Sequence, residues 1–365
     1  MPIEMGLNTF GDITKDAPGQ LLAPGRVLRD VIAEAELADQ VGVDAFDVGE
    51  HHRSDFAISA PEVLLGAIAG RTERIRLGTA VTILSTDDPV RVYQRFATLD
   101  AVSGGRAEVI LGRGSFTESF PLFGYSLDDY DDLFEQKLAL FAALREADVT
   151  GQPVRWKGTV RTPLNGVRVY PPVERAPLRT WVGVGGSPES VVRAARYRLP
   201  LTLAIIGGHP GRFAPYVELY RQALDQLGSP PLPVGIHSPG HVAETDEQAR
   251  EELWPPYQVM RNRIGAERGW GPTSRAEFDR EIASGSLYVG SPETVAAKIA
   301  TTVRALGASR FDLKYSAGTL GHDLMLRSIS LYGREVMPRV RGLLAESEAV
   351  TPVSPAAEAP AHRSG

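Results

Sequence analysis

The stretch IRLGTAVTIL (residues 75–84) is followed by the longer segment PVRVYQRFATLDAVSGG (89–105) and then by RAEVILGRG (106–114). The first and third segments are short apolar runs typical of strands, whereas the middle one places its apolar residues at helical spacing. A strand, a helix and a second strand in this order are typical of parallel strands joined by a crossover helix. The stretch therefore predicts one β–α–β unit of an α/β fold.

The same alternation extends in both directions from this unit. Strand-like runs occupy residues 3–10, 44–50, 75–84, 106–114, 180–186, 199–206, 232–244 and 310–316. Eight strands alternating with helices close a (β/α)8 TIM barrel, so we predict a single barrel domain over residues 1–345. A doubly wound open sheet is the alternative, but its glycine-rich phosphate turn should follow the first strand, and NTFGDITKDAPG (8–19) is not a GxGxxG motif.

The chain has 365 residues, which exceeds the roughly 250 residues of a minimal TIM barrel. The surplus lies in residues 150–178 and 255–290, and we expect these insertions at the C-terminal face of the barrel, where such enzymes have their active sites. Residues 346–365 lack apolar periodicity, so we expect a disordered tail there.

The composition favours a folded cytoplasmic protein that acts on a small molecule. Hydrophobic residues make up 43% of the chain, enough for a substantial core. The net charge of −6, without a long basic run, argues against nucleic-acid binding. No apolar run is long enough for a membrane span, and no secretory leader is recognisable. Because the chain has no cysteine, disulfides, thiolate metal sites and iron–sulfur clusters are excluded, and redox chemistry would need a bound cofactor.

The segment VGEHHRSDF (48–56) places Glu50, His51 and His52 directly after the second strand-like run. Alternation along that strand puts Asp47, Gly49 and His51 on the inward face. His51 is therefore the predicted catalytic residue, a histidine near neutral pKa that donates or accepts a proton or stabilises an anion. The alternative is a rim histidine bonded to a loop carbonyl. We predict no metal site, because contiguous Glu-His-His lacks the spacing that directs two ligands to one ion.

A second candidate feature is WVGVGGSPESV (181–191), a strand that runs into a helix. Ser187 fits the N-cap and Pro188 the first helical position, so free N–H groups and the positive end of the helix dipole face the barrel mouth. With Gly185, Gly186 and Ser190 this pattern predicts a phosphate site. The alternative is an ordinary capped helix, of which SPETV (291–295) is a second example.

Two further strand ends carry candidate ligand contacts. Arg113 stands between Gly112 and Gly114, where a guanidinium can bind a phosphate, although a surface ion pair is the alternative. The small residues in LGTAVTIL (77–84), including Thr79, Ala80 and Val81, suit a flat ring laid against the strand end. Ordinary packing inside a barrel is the alternative there. Together these features point to a flat, phosphorylated ligand at one face of one barrel.

The chain also resembles a known family. The residues EHH, the block LGTAVTILSTDDPVRVYQRFATLDAVSGGRAEVILGRGS (77–115), and the C-terminal segments GSPETVAAKI and LKYSAGTLGHDLMLRSI resemble the luciferase-like monooxygenases, flavin-dependent barrels related to bacterial luciferase. The resemblance covers residues 3–340 and is most specific in the central block. It implies a commonly dimeric enzyme that binds FMN or, in one branch of the family, the deazaflavin F420.

Individual positions can be carried over from the family motifs. His51 matches a histidine that acts beside the reduced flavin. Ala80 and Val81 match a non-prolyl cis peptide against the isoalloxazine ring. The resemblance further implies that Arg113 lies near the flavin phosphate and that Ser187 and Ser190 supply hydroxyls of the phosphate loop. Light-emitting members carry cysteine at the position of Gly112, so we do not predict luminescence.

We therefore predict an FMN-dependent monooxygenase that uses reduced flavin and O2 on a small organic substrate and forms a homodimer. Because no nicotinamide fingerprint is present, a separate reductase is expected to supply the reduced flavin. The alternatives are an F420-dependent dehydrogenase, a flavin-binding protein without turnover and a metal-dependent barrel hydrolase. The residues of the insertions contain no motif that identifies the substrate.

Overall fold

The computed structural model of the protein describes residues 3–16, 19–174 and 177–350. The strands are β1 (Glu4–Thr9), β2 (Ala45–Val48), β3 (Arg76–Ile83), β4 (Glu108–Gly112), β5 (Val154–Trp156), β6 (Leu164–Val167), β7 (Arg179–Val184), β8 (Leu201–Ala204), β9 (Val234–Val242), β10 (Tyr288–Gly290) and β11 (Arg310–Lys314). The helices are α1 (Pro24–Gln40), α2 (Pro61–Ala69), α3 (Pro89–Ser103), α4 (Ser119–Leu122), α5 (Tyr130–Thr150), α6 (Pro188–Arg196), α7 (Ala214–Gln226), α8 (Asp246–Arg268), α9 (Arg275–Ala283), α10 (Pro292–Leu306), α11 (His322–Leu331) and α12 (Met337–Val350).

Eight parallel strands form a closed barrel in the order β1–β2–β3–β4–β7–β8–β9–β11. The pairings of β8 with β9 and of β11 with β1 complete the closure. Each of the eight strand-like runs in the sequence supplies one barrel strand, and the prediction of a TIM barrel is confirmed. The short strand β10 extends the sheet by pairing with the last residues of β9.

The unit around β3 and α3 illustrates why the chain folds locally as it does. Asp88 is the N-cap of α3, and its side chain accepts hydrogen bonds from the backbone of Val90 and Arg91. Pro89 fits the first turn, where its missing N–H costs nothing, and Gly104 ends the helix in the left-handed conformation. The apolar face of the helix packs on the barrel and aligns the ends of β3 and β4 at the same rim.

The two long segments of the chain lie in different places. Residues 255–290 cover the C-terminal mouth of the barrel, as expected. Residues 150–178 follow α5 rather than a strand, and the β5–β6 hairpin packs outside the barrel, where Gln94 of α3 donates to the carbonyl of Tyr170 at 3.0 Å. None of the described residues of this segment lines the central cavity, although Arg161 pairs with Asp88 in the loop that follows β3.

The N-terminal ends of the strands enclose a buried cluster of charges. Arg310 donates to Asp47 and Glu108 at 2.6 Å and to Asp312 at 2.8 Å, and Glu4 lies 3.1 Å away. Burial raises the pKa of Asp47 well above its usual range and raises that of Asp312 to about 6. Because the members of this cluster come from four strands, their contacts connect those strands at the base of the barrel.

The C-terminal end of the chain is only partly described. The helix α12 includes residues 346–350 of the expected tail, and residues 351–365 lie outside the described residues. Within the described part of the chain, no helix is both long and apolar enough to cross a membrane.

Candidate active site

A cavity of about 400 Å³ opens at the C-terminal ends of the barrel strands. It is lined from the strand ends by Phe10, Glu50, His51, Ala80, Val81, Gly112, Arg113, Gly183, Gly185, His237 and Lys314. The first turn of α6 contributes Ser190, and the segment over the mouth contributes Tyr257, Met260, Arg261, Ile264, Arg268 and Trp270. Most residues predicted for the site therefore do meet in one cavity, whereas Thr79, Gly186 and Ser187 are not among its lining residues.

His51 sits in a cage of three phenylalanine rings. Its ring stacks on Phe56 at 4.4 Å between centroids and meets the edges of Phe10 at 4.6 Å and Phe116 at 5.1 Å. Its backbone N–H donates to the carbonyl of Ile58 at 2.9 Å, which fixes the position of the residue. Its Nδ1 is buried without a hydrogen-bond partner among the described residues. Because Nδ1 is enclosed, a ligand in the cavity could reach this ring only at its other nitrogen, Nε2.

This environment changes the acid–base properties of His51. Burial lowers the pKa of His51 to about 3, and the negative charge of Asp12 opposes the shift without overcoming it. The expectation of a histidine near neutral pKa is therefore wrong, because three apolar rings replace water around the imidazole. At neutral pH the ring is uncharged, and it can donate one hydrogen bond and accept another.

Glu50 and His52 have structural partners instead. The strand β2 ends at Val48, so strict alternation does not extend to the histidines, yet His51 enters the cavity and His52 turns away. His52 Nε2 donates to Glu50 Oε1 at 2.9 Å, and Glu50 Oε2 accepts from the backbone of Ile83 at 2.9 Å. Across the described ranges, no group of three or more His, Asp or Glu side chains is arranged to hold a metal ion.

The ends of β3, β4 and β7 form a smooth wall of the cavity. The Ala80–Val81 peptide is cis, so the conformation implied by the family resemblance is confirmed. The side chain of Val81 fills the space beside two glycines: a Cβ on Gly112 would lie 2.5 Å from Val81 Cγ2, and one on Gly183 would lie 2.9 Å from Cγ1. Thr79 is buried behind this wall, where it is bonded to Thr82 at 2.8 Å.

The N-terminus of α6 borders the cavity as the sequence pattern predicts. Ser187 is the N-cap, and its Oγ accepts from the backbone N–H of Ser190 at 3.3 Å and donates to Glu189 at 2.7 Å. Gly186 has a φ of +118°, a conformation that side chains rarely adopt. Gly185 and Ser190 line the cavity directly, and Gly186 and Ser187 shape the turn behind them.

Arg113 reaches the same end of the cavity. Its guanidinium donates to Asp131 at 2.8 Å and lies 5.2 Å from the ring centre of Tyr130. A hydrogen bond from Ser187 lowers the pKa of Glu189, and the positive charge of Arg113 lowers it further, which places Arg113 near the start of α6. The guanidinium, the Ser190 hydroxyl and the helix terminus are a donor set that fits a phosphate group.

Sequence reasoning missed several residues of the cavity. The amide nitrogen of Asn8 donates to Nδ1 of His237, whose pKa burial lowers to about 4, so the neutral ring carries its proton on Nε2. Lys314 Nζ donates to Asp12 at 3.0 Å and lies 4.7 Å from the ring centre of Phe10. A histidine and a lysine within apolar strand runs are the signals that could have identified His237 and Lys314.

Comparison with known proteins places this geometry in a family. The model of the family described as luciferase-like monooxygenase matches residues 9–310. The 4-hydroxyprotoasukamycin monooxygenase of Streptomyces nodosus subsp. asukaensis is 28% identical over 334 residues, which cover 88% of this chain and 89% of that protein.

Two solved structures share the fold at lower identity. The oxygenating constituent of 3,6-diketocamphane monooxygenase from Pseudomonas putida, solved in complex with FMN, is 19% identical with a TM-score of 0.74, covering 93% of this chain and 99% of that one. The coenzyme F420-dependent tetrahydromethanopterin reductase from Methanopyrus kandleri is 17% identical with a TM-score of 0.70, covering 93% of this chain and 100% of that one. From the family match over most of its length, this chain belongs to the luciferase-like monooxygenases.

Proposed function

We propose that this protein is a flavin-dependent monooxygenase that uses reduced FMN and O2 to oxidise a small organic substrate. The observation that carries the proposal is that one cavity contains both the caged His51 and the start of α6 with Arg113, a donor set that suits a phosphate. The relative named as a monooxygenase, which aligns over 88% of this chain, supports the same reaction class.

The side chains present fit FMN by their chemistry. Ser190, Gly185 and Arg113 would hold the phosphate, and the wall formed by Ala80 and Val81 would accept the flat ring. Bound reduced FMN would supply two electrons to O2, so that one oxygen atom enters the substrate and the other leaves as water. The protein would contribute binding, orientation and a dry environment for this chemistry.

The phenylalanine cage defines what His51 contributes. Phe10, Phe56 and Phe116 exclude water from the imidazole, which stays neutral and leaves Nε2 as the nitrogen that a ligand in the cavity can reach. A negative charge that develops beside the ring would raise the pKa of His51, because it favours the protonated form. His51 would therefore accept a proton, or share one, at the point where the reaction generates an anion.

The proposal is tested first by cofactor binding and then by turnover. Fluorescence titration should show that FMN binds more tightly than F420, and oxygen uptake with reduced FMN should yield oxygenated product from an accepted substrate. His51→Ala should lower product formation by roughly 10²- to 10⁴-fold while FMN affinity stays within a few-fold. His52→Ala is the matched control, since this ring turns away to Glu50.

Three outcomes would contradict the proposal. Preference for F420 with hydride transfer would establish the dehydrogenase alternative, and tight FMN binding without any turnover would indicate a flavin-binding protein. An active His51→Ala beside an inactive His52→Ala would exchange the roles of the two histidines.

Assembly and electron supply are parts of the same proposal. The related Pseudomonas putida protein is described as an oxygenating constituent, which supports delivery of reduced flavin by a separate reductase. We also propose a homodimer, to be checked by light scattering against twice the 39.4 kDa mass of one chain.

A further inference from the structure

Two arginines of the segment over the cavity mouth face the cavity together. Arg261 and Arg268, both on α8, line it, and their guanidinium carbons lie 4.6 and 5.5 Å from the ring centre of Trp270. Arg268 also lies 5.1 Å from the ring centre of Phe116, which is one wall of the His51 cage. The two guanidinium groups therefore alternate with flat aromatic surfaces at the His51 side of the cavity.

Unlike the other cationic side chains at the cavity, these two have no acidic partner. Lys314 is paired with Asp12 at 3.0 Å, and Arg113 is paired with Asp131 at 2.8 Å. In the described part of the chain, neither Arg261 nor Arg268 makes a salt bridge or a hydrogen bond, and Nε of Arg261 is buried without a partner. The terminal nitrogens of the two guanidinium groups therefore remain available for a ligand.

The nearest carboxylates are committed elsewhere. Glu267 is bound in a two-pronged contact by Arg53 at 2.5 and 2.8 Å. Glu277 accepts from the N–H and hydroxyl of Ser274 in the capping box of α9. The two arginines thus bring two positive charges without a hydrogen-bonded acid to the cavity of a protein whose net charge is −6. Such a local field concentrates anions against the overall charge of the molecule.

We propose that Arg261, Arg268 and Trp270 form a subsite for the carboxylate of a planar organic acid, and that organic acids of this kind are the substrates. The second clause rests on the proposed monooxygenase function. A guanidinium fork matches a carboxylate with two parallel hydrogen bonds, and an indole face accepts a flat ring. This subsite is separate from the phosphate site, which lies at the start of α6 beside Arg113.

Calorimetric titration with 2-naphthoate and its neutral analogue 2-naphthamide tests the subsite, with the protein free of flavin and with saturating FMN. Wild-type protein should bind the acid at least about tenfold more tightly than the amide, which corresponds to about 1.4 kcal/mol, because only the acid forms charge-assisted hydrogen bonds with the two guanidinium groups. Arg261→Gln and Arg268→Gln should each remove most of that preference and leave amide binding unchanged.

Arg263→Gln is the matched control on the same helix. Its guanidinium donates to Ser54 at 3.0 Å and lies 3.6 Å from Asp55, and it does not line the cavity. The variant removes the same charge and should keep the preference for the acid. Equal binding of acid and amide by the wild type, or an equal loss in Arg263→Gln, would overturn the proposal.

Two further results separate this subsite from the flavin site. If saturating FMN displaces 2-naphthoate, the probe occupies the flavin site and the proposal fails. If Arg261→Gln weakens F420, whose tail carries carboxylates, and leaves 2-naphthoate binding unchanged, the arginines serve that cofactor and the substrate assignment fails. A protein that binds no flavin but selects the acid through these arginines would overturn the proposed function and retain the carboxylate subsite.

Discussion

Acid should destabilise this protein partly through His51. In the unfolded chain the pKa of a histidine is about 6.5, whereas burial lowers the pKa of His51 in the folded protein to about 3. Between these values the unfolded chain takes up a proton that the folded protein does not, so the free energy of unfolding falls as the pH falls. With these two pKa values, the loss between pH 7 and pH 5 is about 2 kcal/mol. This loss depends little on the pKa of His51 in the folded protein, because pH 5 lies well above that pKa.

The substitution His51→Gln isolates this contribution, because glutamine does not titrate. Urea unfolding at pH 7 and pH 5 should show a pH-dependent loss of stability that is smaller in the variant by about 2 kcal/mol. The buried His237 is still present in the variant and also lowers the free energy of unfolding as the pH falls. The stability of the variant therefore still depends in part on pH. An identical loss in wild type and His51→Gln would show that the ring is solvated, and the caged geometry would be wrong.

Two further substitutions test the walls of the cavity. Ser187→Asp keeps a good N-cap for α6 but adds a negative charge beside the proposed phosphate site, so FMN affinity should fall by about tenfold or more with little change in thermal stability. Unchanged affinity in a fluorescence titration would place the phosphate elsewhere. Gly112→Ala inserts a Cβ 2.5 Å from Val81 Cγ2 and should cost about 1–3 kcal/mol of unfolding free energy. Adding Val81→Ala should recover much of this loss in a double-mutant cycle, and additive effects of the two substitutions would contradict the contact.

The barrel could be predicted from the sequence because its signals are local. Each barrel strand is a short apolar run inside one segment, and each is separated from the next by a segment with helical spacing or a longer excursion. The start of α6 is equally local, since Ser187, Pro188 and Ser190 are consecutive or nearly so. That the segment 150–178 does not line the cavity could not be predicted, because composition alone does not show whether an excursion follows a strand or a helix.

The chemistry of the site depends on contacts that the sequence does not display. The pKa of His51 depends on Phe10, Phe56 and Phe116, which come from three different loops. Lys314 meets Asp12 across 302 positions of the chain. Arg261 lacks an acidic partner because the neighbouring carboxylates bind other groups, whereas Arg263 donates to Ser54. The sequence alone does not distinguish these two arginines. Residue type could therefore suggest where the site lies, but not which groups in it are charged or unpaired.

Charged and polar groups are paired at the base of the barrel, whereas several at the mouth are unpaired. This difference indicates that ligands bind at the mouth. At the base, Arg310 is fully buried and contacts acidic side chains from four strands, so removing Arg310 would leave several buried carboxyl groups without their positive partner. At the mouth, two histidines are held neutral and two arginines lack acidic partners in the described structure. Charged groups that are paired within the protein affect its stability. Groups without a partner form favourable interactions only when a ligand binds. Substitutions at the base should therefore change the free energy of unfolding, and those at Arg261 or Arg268 should change ligand affinity.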